Sequence, residues 1–105
     1  MAIIDKGTIR STVIFTRLNT SVDWYNVTEE YKNYVKTNYV DTGKKTVGYY
    51  IISEDGLIKK WVSDYLDQEA KDQWNSDLKI KALVIEREKY SMKNNIKIEI
   101  IHESL

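Results

Sequence analysis

The sequence predicts an α+β chain whose elements run in the order β-α-β-β-α-β. Three observations carry that order. Stretches near both ends alternate apolar with polar residues, as half-buried strands do. An Asp55-Gly56 pair joins two β-prone runs in the middle. The intervening stretches repeat apolar residues at three- and four-residue intervals, the helical period.

The first strand is TIRSTVIFTR, residues 8–17, with Ile9, Val13 and Phe15 on one side and mostly polar residues on the other. LNTS follows, where Thr20 or Ser21 can cap a helix by accepting backbone N–H bonds, and Asp23 stands three residues after Thr20 in an approximate capping box. Trp24, Val27, Tyr31 and Tyr34 then form a stripe suited to packing on a sheet, and this helix is expected to end near Asn38, before Gly43. KTVGYYIISEDGLIKKWVSDYL, residues 45–66, is a hairpin, because Gly56 supplies the positive φ that a tight turn needs. In its first arm Tyr49 and Ile51 face one way while Tyr50 and Ile52 face the other, so both faces are apolar.

Asp67 caps the next helix, in which Ala70, Trp74 and Leu78 are expected on one face. A break falls near Ser76-Asp77, since both residues favour caps over helix interiors. A further helical segment carries Ile80, Leu83, Val84, Arg87 and Tyr90 on one side and ends at Asn94-Asn95. IKIEIIHES, residues 96–104, is the last strand, with Ile96, Ile98, Ile100 and His102 in phase.

Composition narrows the functional classes. A chain of 105 residues with 42% hydrophobic and 30% charged side chains fits one globular domain over residues 1–105. Sixteen basic residues balance sixteen acidic ones, so no net field draws the chain to nucleic acid or an acidic membrane. The absence of cysteine excludes disulfides, thiolate metal sites and a cysteine nucleophile. MAIIDKGTIR has charges where a signal peptide needs an apolar run, and no later stretch is long and apolar enough to span a bilayer, so the cytoplasm is the expected compartment. The lack of proline and the wealth of Lys, Asn, Ile and Tyr resemble products of AT-rich genomes, those of many phages among them.

The element order is that of ferredoxin-like folds, in which two split β-α-β units build a four-stranded antiparallel sheet with both helices on one face. Within that group, Tyr49 to Leu78 resembles the dimeric α+β barrel superfamily, particularly its antibiotic-biosynthesis-monooxygenase-like members. The shared features are the YYIIS strand, the EDG turn, Trp61 and Ser63 at the strand exit, and Glu69-Ala70 opening the second helix. The resemblance implies a homodimer packed sheet to sheet. Those members often place a histidine about four residues after the Glu-Ala pair. This chain has Trp74 there, whose indole donates a hydrogen bond but neither binds a metal nor exchanges a proton near neutral pH. The substitution reads as packing and weakens any inference to monooxygenase chemistry.

His102 is the only histidine, and a strand-end position at or near the surface explains it more simply than catalysis does. In an enzyme it would be a general base near Tyr49, Trp61 or Arg87. Arg87 falls in an apolar stripe, where an ion pair or a stem lying on the sheet is the simpler reading and anion binding the functional one. Asp72 with Asp77, and Glu86 with Glu88, lack the spacing that puts two carboxylates on one helical face and read as solvated charge. The glycines form no phosphate-binding spacing, and no motif calls for a cofactor or metal. RNA-recognition domains share the element order, but the aromatic run sits on the second strand rather than the third, and the charge balance leaves little to neutralise phosphates. The expectation is a homodimeric binding or structural protein with no nucleic-acid or membrane partner, the sequence leaving any small-molecule ligand open. A cofactor-independent oxygenase or related small enzyme, built on His102, Tyr49, Trp61 and Arg87, is the alternative.

Overall fold

Element boundaries in the computed structural model, which describes residues 3–105, follow local chemistry. The chain runs through β1 (Ile9–Thr16), α1 (Glu29–Val35), a wider helical turn (Lys36–Val40), β2 (Tyr49–Ile52), β3 (Ile58–Tyr65), α2 (Gln68–Ser76), α3 (Leu78–Lys93) and β4 (Lys97–Ser104). Met1 and Ala2, the first residues of the stretch read against a signal peptide, lie outside the described residues.

The first helix begins later than the sequence suggests. Asn19 Oδ1 accepts bonds from the Ser21 amide and hydroxyl, which holds LNTS in a turn rather than a cap. The cap is Thr28, whose hydroxyl accepts from Tyr31 N, and Glu29 and Glu30 place negative charge at the positive end of the helix. Trp24 and Val27, expected on that helix, therefore lie in an irregular strap ahead of it. Past Val35 the helix widens, with Asp41 N bonding Lys36 O and Lys44 N bonding Tyr39 O, both five residues back. Tyr39, in that wide turn, is completely buried.

Other boundaries match the sequence reading. Gly56 has φ 74° in the hairpin turn, and Asp55 Oδ1 accepts from Ser53 Oγ and Leu57 N. Asp67 caps α2 by accepting from Ala70 N. Asp77 breaks the helical run with an extended backbone, and its side chain caps α3 through Lys79 N and Ile80 N. The break has a consequence for packing. Leu78, expected on one face with Ala70 and Trp74, starts a new helix out of phase with them and is 80% exposed.

The strands form one sheet of order β2-β3-β1-β4 with all neighbours antiparallel, an arrangement compatible with a ferredoxin-like fold. Register sorts the side chains. Val13 pairs with Trp61 and Ile100, Ser11 with Ser63 and His102, and Tyr50 with Trp61, so these residues share the face that the helices cover. The opposite face carries Tyr49, Ile51, Ile58, Val62 and Ile101. Among the described residues no helix is long and apolar enough to cross a membrane.

Candidate ligand-binding cavity

The helices do not close down on the sheet along its whole width. Ala70, Ile80 and Leu83 are buried, yet the space between the helical layer and the sheet is a cavity of about 950 Å³, at the upper end of the usual size for small-molecule sites. Val13, Phe15 and Trp61 form its floor, α2 and α3 contribute Trp74 and Val84, and the strap before α1 contributes Trp24. The strap is fixed in place. Arg17 lies over the Trp24 ring at 4.3 Å and bonds Gly56 O and Val22 O, while Tyr90 Oη bonds Asp23 O. Tyr50 and Ile100 line the cavity but remain 56% and 50% exposed, so it opens along the sheet's edge strands.

At its inner end lies Lys45, a residue that the sequence reading passed over. Gly43, at φ 74°, turns the chain out of the wide helical turn, and Lys44–Thr46 then run beside the end of β3. Leu66 N bonds Lys44 O, and Thr46 N bonds Asp64 O. Lys45 therefore pairs with Tyr65 in a single antiparallel bridge and points to the same, helix-covered face. Only 1% of Lys45 is exposed. Its Nζ lies 3.7 Å from the Tyr65 ring centre, 4.3 Å from that of Trp74 and 5.1 Å from that of Trp61. Among the described residues no carboxylate reaches it to form an ion pair. Burial pushes its pKa down to about 7, against a small opposing pull from Asp64. Asp64 is committed elsewhere, to Arg10 at 2.9 Å.

The aromatic wall around Lys45 is continuous. Trp74 meets Tyr39 edge-on at 4.9 Å and Tyr65 at 6.1 Å, and Tyr65 meets His102 at 6.5 Å. Trp74 is only half-buried, so its packing role is shared with a place on the cavity wall. Burial raises Tyr65 to about 12, so its phenol keeps its proton. Behind this wall, Tyr39 and Tyr34 both donate to Asp77 Oδ2, at 2.6 and 2.7 Å. Asp77, read from sequence both as a cap-favouring break and, with Asp72, as solvated charge, is thus a structural acceptor. Burial alone would raise its pKa, but the tyrosine hydroxyls and the Ile80 and Lys79 amides outweigh it and hold the carboxyl below its ordinary value.

Three of the four residues singled out from sequence meet at this cavity and one does not. Trp61, Arg87 and His102 line it. Tyr49 pairs with Val62 on the other face of the sheet and borders a separate recess of about 250 Å³ with Arg10 and Asp64. Arg87 makes no ion pair among the described residues. Its guanidinium lies 5.4 Å from the Phe15 ring centre, its Nε is buried with no partner among the described residues, and burial lowers its pKa. His102 is exposed on one side and its pKa is lowered, by burial and by Lys71 and Lys45.

The charge of the lining is one-sided. Lys32, Lys36, Lys59, Lys81 and Arg87 reach the cavity besides Lys45, whose charge burial disfavours, and the one carboxylate among its described lining residues, Asp41, is held by Lys36 at 2.9 Å. A neutral chain has thus placed an excess of cations around an apolar space. Among the described residues no group of three or more His, Asp or Glu side chains is placed to hold a metal ion. No protein-family model, curated protein or solved structure matches the chain. Fold and site together define an α+β protein with a four-stranded antiparallel sheet and a cationic, aromatic-walled cavity beneath its helices.

Proposed function

We propose that this is a small-molecule-binding protein whose cavity takes an amphipathic organic anion, an aromatic or branched apolar body bearing a carboxylate or similar group. The carrying observation is Arg87 with four lysines, Lys45 not counted among them, against one carboxylate that Lys36 already pairs, around an apolar space of about 950 Å³. The apolar body displaces water from Val13, Phe15, Trp61 and Val84, and the anion compensates the desolvated Arg87, whose Nε has no partner among the described residues. Catalysis is not required by this reading, and no nucleic-acid binding is expected from a chain of zero net charge.

The same reading includes a homodimer through the helix-free face of the sheet. Tyr49, Ile51 and Ile101 there are 53%, 50% and 46% exposed. The face also carries Lys60 and Glu103 beside a Lys97–Glu99 pair at 3.0 Å, so a second copy related by a two-fold axis meets mixed charge rather than a single sign. That mixed pattern favours self-association over capture of a strongly charged partner.

All three tryptophans, Trp24, Trp61 and Trp74, line the cavity, so their fluorescence reports on it directly. Titration with 6-hydroxymethyl-2-naphthoate should give saturable quenching, weakened by Arg87→Met. The uncharged 2-naphthylmethanol should bind at least about tenfold less tightly, a difference of about 1.4 kcal/mol. Equal binding of the two would remove the anion from the proposal, and no binding of either would remove the ligand.

A further inference from the structure

Resting on that binding reading, we infer that Lys45 is a carbonyl-capturing amine: its Nζ condenses with an aldehyde or ketone on the bound organic anion to form a reversible Schiff base. The geometry singles out this one lysine. It is buried, and its amine ends among the rings of Trp61, Tyr65 and Trp74 on the cavity lining, where it has neither an ion pair nor a hydrogen-bond acceptor among the described residues. A structural lysine at 1% exposure is ordinarily held by a carboxylate or by carbonyl oxygens. Here the three ring faces of Trp61, Tyr65 and Trp74 can stabilise the ammonium but cannot take its proton, and they leave the nitrogen lone pair free once the proton is lost.

The chemistry balances without a further reactant. The neutral Nζ attacks the carbonyl carbon, a C–N bond forms, and the carbonyl π pair moves to oxygen. The nitrogen gives up a proton as that oxygen gains one. The nitrogen lone pair of the carbinolamine then forms the C=N bond as the C–O bond breaks, the hydroxyl leaves as water with the remaining nitrogen proton, and addition of water reverses each step. The apolar wall favours the first step by disfavouring the ammonium. Burial brings the amine down to about 7, so near neutral pH its neutral fraction exceeds that of an ordinary surface lysine by about a thousandfold. His102, in contact with the same Tyr65 ring, is the titratable group on this wall able to relay a proton. Arg87, on the same cavity, suits the carboxylate of a ligand whose carbonyl lies at Lys45.

The test uses 6-formyl-2-naphthoate with sodium cyanoborohydride at pH 7, which converts the imine to a stable secondary amine, followed by intact mass and peptide mapping. The expected result is one adduct per chain, on Lys45, formed more than about tenfold faster than on any other lysine. Excess 6-hydroxymethyl-2-naphthoate should suppress it. Lys45→Met, which keeps an apolar stem, should still bind that alcohol in the fluorescence titration but gain no cavity adduct. Adducts spread over surface lysines in wild type, with binding of the alcohol intact, would overturn the Schiff base and leave the binding reading standing. Failure of the alcohol to bind, with Lys45 still labelled selectively, would overturn the anion-binding reading and keep the reactive amine.

Discussion

Lys45 Nζ sits 3.7 Å from the centre of the Tyr65 ring, and the two residues face each other across a single antiparallel bridge. An ammonium in that position has exchanged water for ring faces, and the exchange has a pH signature. Lys45 is about 7 in the folded chain and ordinary in the unfolded one, so between those values the unfolded state binds the extra proton. Folding stability therefore rises with pH across the window from about 7 to about 10.5 as the burial penalty disappears, by up to about 5 kcal/mol at about 1.4 kcal/mol per unit. Asp64, Tyr65 and His102 are the titratable neighbours, and Lys45→Met leaves all three in place. Urea denaturation of wild type and Lys45→Met should show the variant more stable at pH 7 and the two converging towards pH 10. A constant difference across that range would mean that Lys45 stays charged in the fold.

Asp77 ties the helical layer together, taking bonds from Tyr39 and Tyr34 while capping α3. Asp77→Ala removes the cap and leaves the buried Tyr39 hydroxyl with only a long contact to Gln73 O at 3.4 Å. A loss of about 2–4 kcal/mol is expected, the sum of a cap and an unsatisfied buried group. Because the carboxyl lies below its ordinary value when folded, its contribution is complete above about pH 4 and is lost as pH falls through the folded value. Guanidinium titrations at pH 6 and pH 3 should therefore separate wild type from Asp77→Ala more at the higher pH.

Trp74 supports Tyr39 and Tyr65 and also walls the cavity. Trp74→Ala should destabilise the chain by about 2–4 kcal/mol, somewhat less than a wholly buried aromatic would, and should weaken binding of 6-hydroxymethyl-2-naphthoate. Trp74→Phe should be milder on both counts. If Trp74→Ala shifts stability by less than about 1 kcal/mol, the packing role assigned to this position is wrong.

Gel filtration with light scattering should report about twice the 12.4 kDa chain mass. Ile51→Lys, placed in the centre of β2 on the helix-free face, should shift the species to a monomer without unfolding it. A wild-type monomer at micromolar concentration would dispose of the sheet-to-sheet arrangement.

The elements that could be read from the sequence are those whose signals are local. Asp55-Gly56 demands a tight turn, Asp67 and Asp77 offer side-chain oxygens to free helix amides, and the alternation in residues 8–17 and 96–104 survives as β1 and β4. The same locality misled at Thr20. A plausible cap there lost to the Asn19 side chain, which took the Ser21 amide first, and to the stronger Thr28-Glu29-Glu30 start. Leu78 shows the related failure, since four-residue spacing has meaning only while one helix continues.

The β-α-β-β-α-β order, the break at Asp77 and the apolar character of both faces of the Tyr49–Ile52 strand are legible in the chain alone, because each depends on residues a few positions apart. Which charges left water was settled by long-range packing. Lys44 and Lys45 are adjacent and chemically identical, and the sequence offers no reason to separate them. One bridge to Tyr65 sets their phase, so Lys45 enters a wall of rings from distant elements while Lys44 stays half-exposed. Burial, and with it the reactivity of the amine, is a property of that long-range register, which moves every side chain to the other face when it slips by one residue.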